Sequence, residues 1–162
     1  MRTAGSACLQ RSRRSAVVVA ALACGLLAGC SSPAARPVVP PDGPGRGCAA
    51  LHHALPSEVD GRSSRDTTPA STRTAAWGSP AVVLRCGVVR PAGLTPTSEL
   101  VEVNGVAWFL DERPSAYVFT TTGRSAYLQV RVPSSVDRTT ATAPLVDLAA
   151  AVKSSLPLRP SR

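Results

Sequence analysis

The chain has 162 residues, 44% of them hydrophobic and 4% aromatic, with 18 basic side chains against 10 acidic ones and a formal net charge of +8. That length allows one domain plus terminal segments rather than two domains. The positive charge is scattered along the chain rather than gathered in a stripe, which argues against a nucleic-acid partner.

Residues 1–29 read as a leader peptide and are set aside before any fold argument. Arg2, Arg11, Arg13 and Arg14 make a basic start with no acidic residue, and Ala16 to Leu27 is an apolar run. That run is too short for a bilayer, which needs about 20 apolar residues, but suits the apolar core of a secretory signal. Leu27-Ala28-Gly29-Cys30 follows. This resembles the cleavage box of bacterial lipoproteins, in which small residues admit the peptidase and the cysteine thiol takes a diacylglyceryl group. Cys30 is therefore the expected lipidation site, and two acyl chains suffice to hold a protein at a membrane without a spanning helix. The expected location is the extracytoplasmic face of the cell membrane. Ser12-Arg13-Arg14 raises the twin-arginine export route, although Ser15-Ala16-Val17 fit that pattern poorly.

Removing the leader removes four arginines and no acid, leaving 14 basic and 10 acidic residues, a net +4. Lys153 is the only lysine beside 17 arginines. With abundant Ala, Gly and Pro, this bias reads as genomic composition rather than function. Residues 31–47 hold five prolines (Pro33, Pro37, Pro40, Pro41, Pro44) and three glycines with almost nothing to bury. They are expected to form an extended tether reaching roughly 50 Å at about 3.1 Å per residue. The folded domain is expected to span 48–157, with 158–162 as a tail.

Within the domain, Cys48, Leu51 and Leu55 fall on one face of a short helix that Pro56 stops. Asp60 to Arg73 is polar and reads as a loop. Pro80 to Val89 is apolar and β-branched enough for a central strand. Glu99 to Val103, Asn104-Gly105 and Val106 to Leu110 form the clearest local signal, a hairpin on a two-residue type I′ turn. That register pairs Val103 with Val106 and Val101 with Trp108, and puts Val101, Val103, Val106, Trp108 and Leu110 on one face. Tyr117 to Thr121 and Ala126 to Val132 read as two more strands around a Gly123-Arg124 turn. Leu145, Leu148, Ala149, Val152 and Leu156 recur at helical spacing, with Pro144 at the start and Pro157 at the end. The fold class expected is α+β: a small antiparallel sheet with an N-terminal short helix and a C-terminal amphipathic helix packed on it.

Five cysteines reduce to Cys48 and Cys86 once Cys8 and Cys24 leave with the leader and Cys30 is acylated. In an oxidising compartment these two are expected to bond. Two free buried thiols remain an alternative, as does a metal site drawing on Cys48, His52, Cys86 and His53. The metal reading lacks the spacings such sites use.

Trp77-Gly78-Ser79-Pro80, Leu84-Arg85-Cys86-Gly87, Val103-Asn104-Gly105-Val106-Ala107-Trp108 and Thr122-Gly123-Arg124 occur in that order. Together, over roughly Cys48 to Leu156, they resemble the domain of unknown function 3515 family of actinobacterial lipoproteins. The resemblance implies a lipoprotein of the cell envelope and carries over no catalytic residue.

No nucleophile–base, zinc-binding, phosphate-loop or calcium-loop motif is present in the sequence. Asp111-Glu112 reads as solvated charge in a turn past a strand, and His52-His53 as one packed and one exposed helix histidine. Trp77, Arg85 and Arg124 are of the types that recognise ligands, and are the candidate binding residues. They share one patch only if the start of the central strand lies near the Gly123 turn. The function expected is a membrane-anchored, non-catalytic binding module for an envelope protein or wall component, without a cofactor. The alternative is a small hydrolase or transferase acting on cell-wall or lipid precursors.

Overall fold

The computed structural model describes residues 38–160. The expected leader (1–29) and the expected lipidation site, Cys30, lie outside the described residues. Helix α1 (Cys48–Ala54) is followed by β1 (Glu58–Val59), β2 (Arg62–Arg65), β3 (Thr74–Trp77), β4 (Val82–Val88), β5 (Val101–Val103), β6 (Val106–Arg113), β7 (Ala116–Thr121), β8 (Tyr127–Pro133) and α2 (Ala143–Ser155). The strands form one eight-stranded sheet in the order β1-β2-β3-β4-β8-β7-β6-β5. Every pairing is antiparallel. Two meanders thus meet in the middle, where β4 pairs with β8.

The local signals account for much of this. Asn104 and Gly105 adopt φ of 50° and 78°, as a type I′ turn requires, and Val103 faces Val106 while Val101 faces Trp108. Strand alternation then sorts the two faces. Leu84, Val130, Phe119 and Leu110 lie across from one another on β4, β8, β7 and β6, and the first three are almost fully buried. Both helices cover this face. Leu51 of α1 and Leu145, Leu148 and Val152 of α2 join one core cluster with the strand residues. Cys48 and Cys86 are bonded and stand 5.6 Å apart at Cα, so α1 is stapled to the middle of the sheet.

Three expectations need correction. The sheet is not small, because β2 lies inside the Asp60 to Arg73 stretch read as a loop and β3 precedes the expected central strand. Arg62-Ser-Ser-Arg65 and Thr74-Ala-Ala-Trp77 lack the alternating β-branched residues that mark a strand. Pairing with β4 recruits β3, and β3 in turn recruits β2. The tail is also paired through Arg159. Leu158 bridges Arg124, and the Arg159 amide donates to the Gly123 carbonyl at 2.8 Å.

The third correction concerns the tether. Its described part, 38–47, lies against the domain. Val38 is buried and donates its amide to the Thr68 carbonyl at 2.9 Å. The Arg73 guanidinium donates to the carbonyls of Pro41 and Gly43 at 2.9 and 2.8 Å. Arg85 Nε donates to the Val39 carbonyl at 3.1 Å. An extended Pro-rich chain makes no internal hydrogen bonds, so its carbonyls are open to such donors. Gly43 is there for close approach rather than flexibility, since a Cβ on it would come within 2.4 Å of the Gly87 carbonyl oxygen.

Candidate functional site

The helices leave the other face of the sheet uncovered. Arg85, Gln129, Thr120 and Phe109 lie in one row across β4, β8, β7 and β6 on that side. The connection from β4 to β5 has to pass β8, β7 and β6 to reach the far edge. It does so over this open face, with Gly93 against the Phe109 ring. Together with the docked 39–42 segment it walls a groove of about 620 Å³. Parts of the floor are covered by these segments: Val118 and Thr120, though on the open face, are 3% and 1% exposed.

The walls carry Pro40, Pro41, Val89 and Pro91, and seven of the 17 lining residues are polar or charged, three of them arginines (Arg85, Arg90 and Arg113). Arg85 is half-buried on the floor. Its Nε is used by the Val39 carbonyl, and no carboxylate pairs with it among the described residues. Arg90 lies on the rim with its guanidinium 2.6 Å from the Leu94 carbonyl. At one end Asp111 is engaged by Arg113 at 2.8 Å. A concave cleft that combines apolar walls with directed polar groups is a usual form of a binding site.

Of the three residues expected to recognise a ligand, only Arg85 is here. Trp77 is 1% exposed and donates its indole N–H to the Pro56 carbonyl at 3.0 Å, locking the turn between α1 and β1. Arg124 is 6% exposed. Its guanidinium donates to the Leu156 carbonyl at 3.1 Å and the Gly105 carbonyl at 2.9 Å. It therefore ties the end of α2 to the β5–β6 hairpin, where a cation also complements the helix dipole. Trp77 and Arg124 are thus structural, and the three do not form one patch. Phe109, Gln129 and Arg90 belong to the groove instead. An outward aromatic at Phe109 in an otherwise alternating strand was the one sequence signal that could have found it.

The other candidates are separated from the groove. Asp111 and Glu112 lie within β6 rather than in a turn, so alternation sends them to opposite faces. Glu112 is bonded to Arg138 at 2.6 Å, and that hydrogen bond holds its carboxyl below the usual carboxylate range. His52 and His53 sit on α1, across the sheet, half-buried and exposed respectively, with ring centroids 6.1 Å apart. The disulfide takes up both cysteines of the metal alternative. Among the described residues, no helix is long and apolar enough to cross a membrane.

Neither a curated protein nor a solved structure matches this chain significantly. A family model described as Protein of unknown function (DUF3515) matches residues 14–161. That span takes in both helices, the whole sheet and the docked segment, and the chain belongs to this family.

Proposed function

We propose that this protein is an exported lipoprotein, anchored through Cys30 to the extracytoplasmic face of the cell membrane, and that its domain is a non-catalytic binding module acting through the groove on the open sheet face. The observation that carries the reading is the groove itself. It places a half-buried arginine, without a carboxylate partner among the described residues, on the floor of a cleft walled by prolines and valines and rimmed by further charged side chains. An arginine in that setting favours anionic ligands through its planar fork. The basic start, apolar run and Leu-Ala-Gly-Cys of the first 30 residues support the anchor.

Cys30→Ala is expected to leave the protein unlipidated. Metabolic labelling with an alkyne fatty acid should mark the wild type and not the variant, and equal labelling would rule the anchor out. For the groove, a photo-crosslinking amino acid at Val89 is expected to capture a ligand in cells. The same group at Val146, on the exposed side of α2, is expected to capture none. Phe109→Ala should lower capture at Val89, and unchanged capture would count against the groove. The competing reading, a small hydrolase or transferase on wall or lipid precursors, predicts turnover that a single Ser, His or Asp substitution abolishes. Such turnover would overturn the non-catalytic assignment.

A further inference from the structure

We infer that the occupant of the groove is the phosphate-bearing headgroup of an anionic phospholipid in the anchoring membrane, so that the domain lies groove-down on that membrane. This rests on the lipoprotein reading above and names the ligand of the same site.

The first argument is reach. The chain is tied to the domain at Val38 by its bond to Thr68, which leaves eight residues from Cys30 to that point. Fully extended they span at most about 29 Å. A module reaching for distant partners would need a longer leash. The chain also joins the domain at the groove, since residues 39–42 form one of its walls. The groove rim is therefore the part of the domain closest along the chain to the anchor.

The second argument is the chemistry of that rim. Val39 on one wall and Val89 on the other are 67% and 74% exposed. Among the described residues, the only other large apolar side chain exposed to a comparable degree is Leu158, outside the groove, at 69%, and the two valines both line the groove. Beside them stand Arg85 and Arg90, against one acid without an ion pair among the described residues, Asp42, because Asp111 is held by Arg113. Exposed aliphatics flanked by arginines suit the headgroup boundary of a bilayer, where apolar tips enter and cations meet phosphate. The guanidinium fork of Arg85 matches two phosphate oxygens. A groove of about 620 Å³ falls within the range that holds a small molecule of headgroup-and-glycerol size.

The test uses the full-length chain reconstituted into two kinds of vesicle: phosphatidylcholine alone, and phosphatidylcholine with phosphatidylglycerol. Both contain a trace of diazirine-bearing phosphatidylglycerol, and adducts are mapped by mass spectrometry. Adducts are expected in 39–42 and 88–93, and excess unlabelled phosphatidylglycerol should compete them away. Arg90→Gln, on an exposed loop, should reduce their yield by about fivefold, the effect of one cation at an anionic surface. Arg85→Gln should do the same, with thermal unfolding checking that the variant is folded. Val146→Ser on the far side should change nothing. Adducts concentrated on α2, or yields indifferent to both arginine variants, would overturn the inference. So would protection by inorganic phosphate as complete as that by the lipid, which would indicate a soluble phosphate ligand, or a protein adduct at Val89 in cells. Alkyne labelling of Cys30 is scored on the same material. Labelled protein without groove adducts overturns the inference alone, whereas unlabelled protein overturns the lipoprotein reading and the inference with it.

Discussion

Replacing Cys48 and Cys86 together by alanine is expected to cost about 2–5 kcal/mol of stability. The bond closes a separation of 38 residues, for which the chain-entropy estimate is about 4 kcal/mol. Its position makes the loss local as well as global. Helix α1 has only seven residues, far short of what an isolated helix needs to persist in water. Without the bond, α1 is held to the sheet by little besides Leu51 and the neighbouring turn of α2. Urea unfolding should show the lower midpoint, and hydrogen exchange should show α1 amides opening well before those of β4 and β8. Non-reducing peptide mapping of wild-type protein should recover Cys48 joined to Cys86. Two alkylatable thiols in protein purified without reductant would refute the pairing. Alanine is preferred to serine at position 86 because that side chain is fully buried, and a hydroxyl there would add a desolvation cost of its own.

The second large effect is expected at Arg124. Arg124→Met keeps the length and apolar stem but removes both donors, leaving the carbonyl of buried Leu156, and that of Gly105 at the exposed hairpin turn, short of a partner. Hydrogen bonds from a charged donor contribute about 1.5–3 kcal/mol each, with incomplete additivity, so a loss of about 2–4 kcal/mol is expected. Arg124→Lys should recover only part of this, since an ammonium on a single stem does not span two carbonyls as the fork does. Urea denaturation at constant slope measures the change. Hydrogen exchange should localise it to the last turn of α2 and to Ser125 and Arg159, whose amides bond across the same junction. A loss below about 1 kcal/mol would be that of an ordinary surface residue and would contradict the structural role. Capture at the Val89 position should be unaffected by Arg124→Lys, because Arg124 lies away from the groove.

How much of this the amino-acid sequence determined by itself depends on whether a feature is local. Asn104-Gly105 needs only its own two backbone conformations, so the hairpin and its register are legible without the rest of the chain. The same holds for α2, whose leucines repeat at the helical period between Pro144 and Pro157, and for Cys48 and Cys86, the two cysteines left if residues 1–29 are a leader and Cys30 is acylated, as proposed. Strands β2 and β3 are different. Their residues are polar or small, and they are strands because β4 offers an edge to pair with, a fact that exists only in the assembled sheet.

The docked segment was illegible for a related reason. Pro40, Pro41, Gly43 and Pro44 have the composition of a free linker, and composition does not reveal that Arg73 and Arg85, dozens of residues away, supply donors for its carbonyls. The candidate site divides in the same way. Trp77 and Arg124 are recognition types by chemistry, but burial and hydrogen bonding make them structural, and burial is a property of neighbours far off in sequence. Arg85 keeps its place because strand alternation, which is local, sends it to the face opposite Leu84 and Cys86. What turns that face into a groove is topology. The β4–β5 connection must cross three strands to reach the sheet's edge, and the N-terminal segment lies down opposite it. The β4–β5 wall follows Arg85 directly in the chain, but the other wall and the rest of the floor come from distant segments, so only the tertiary structure could bring Val39, Arg85, Val89 and Phe109 around one cavity.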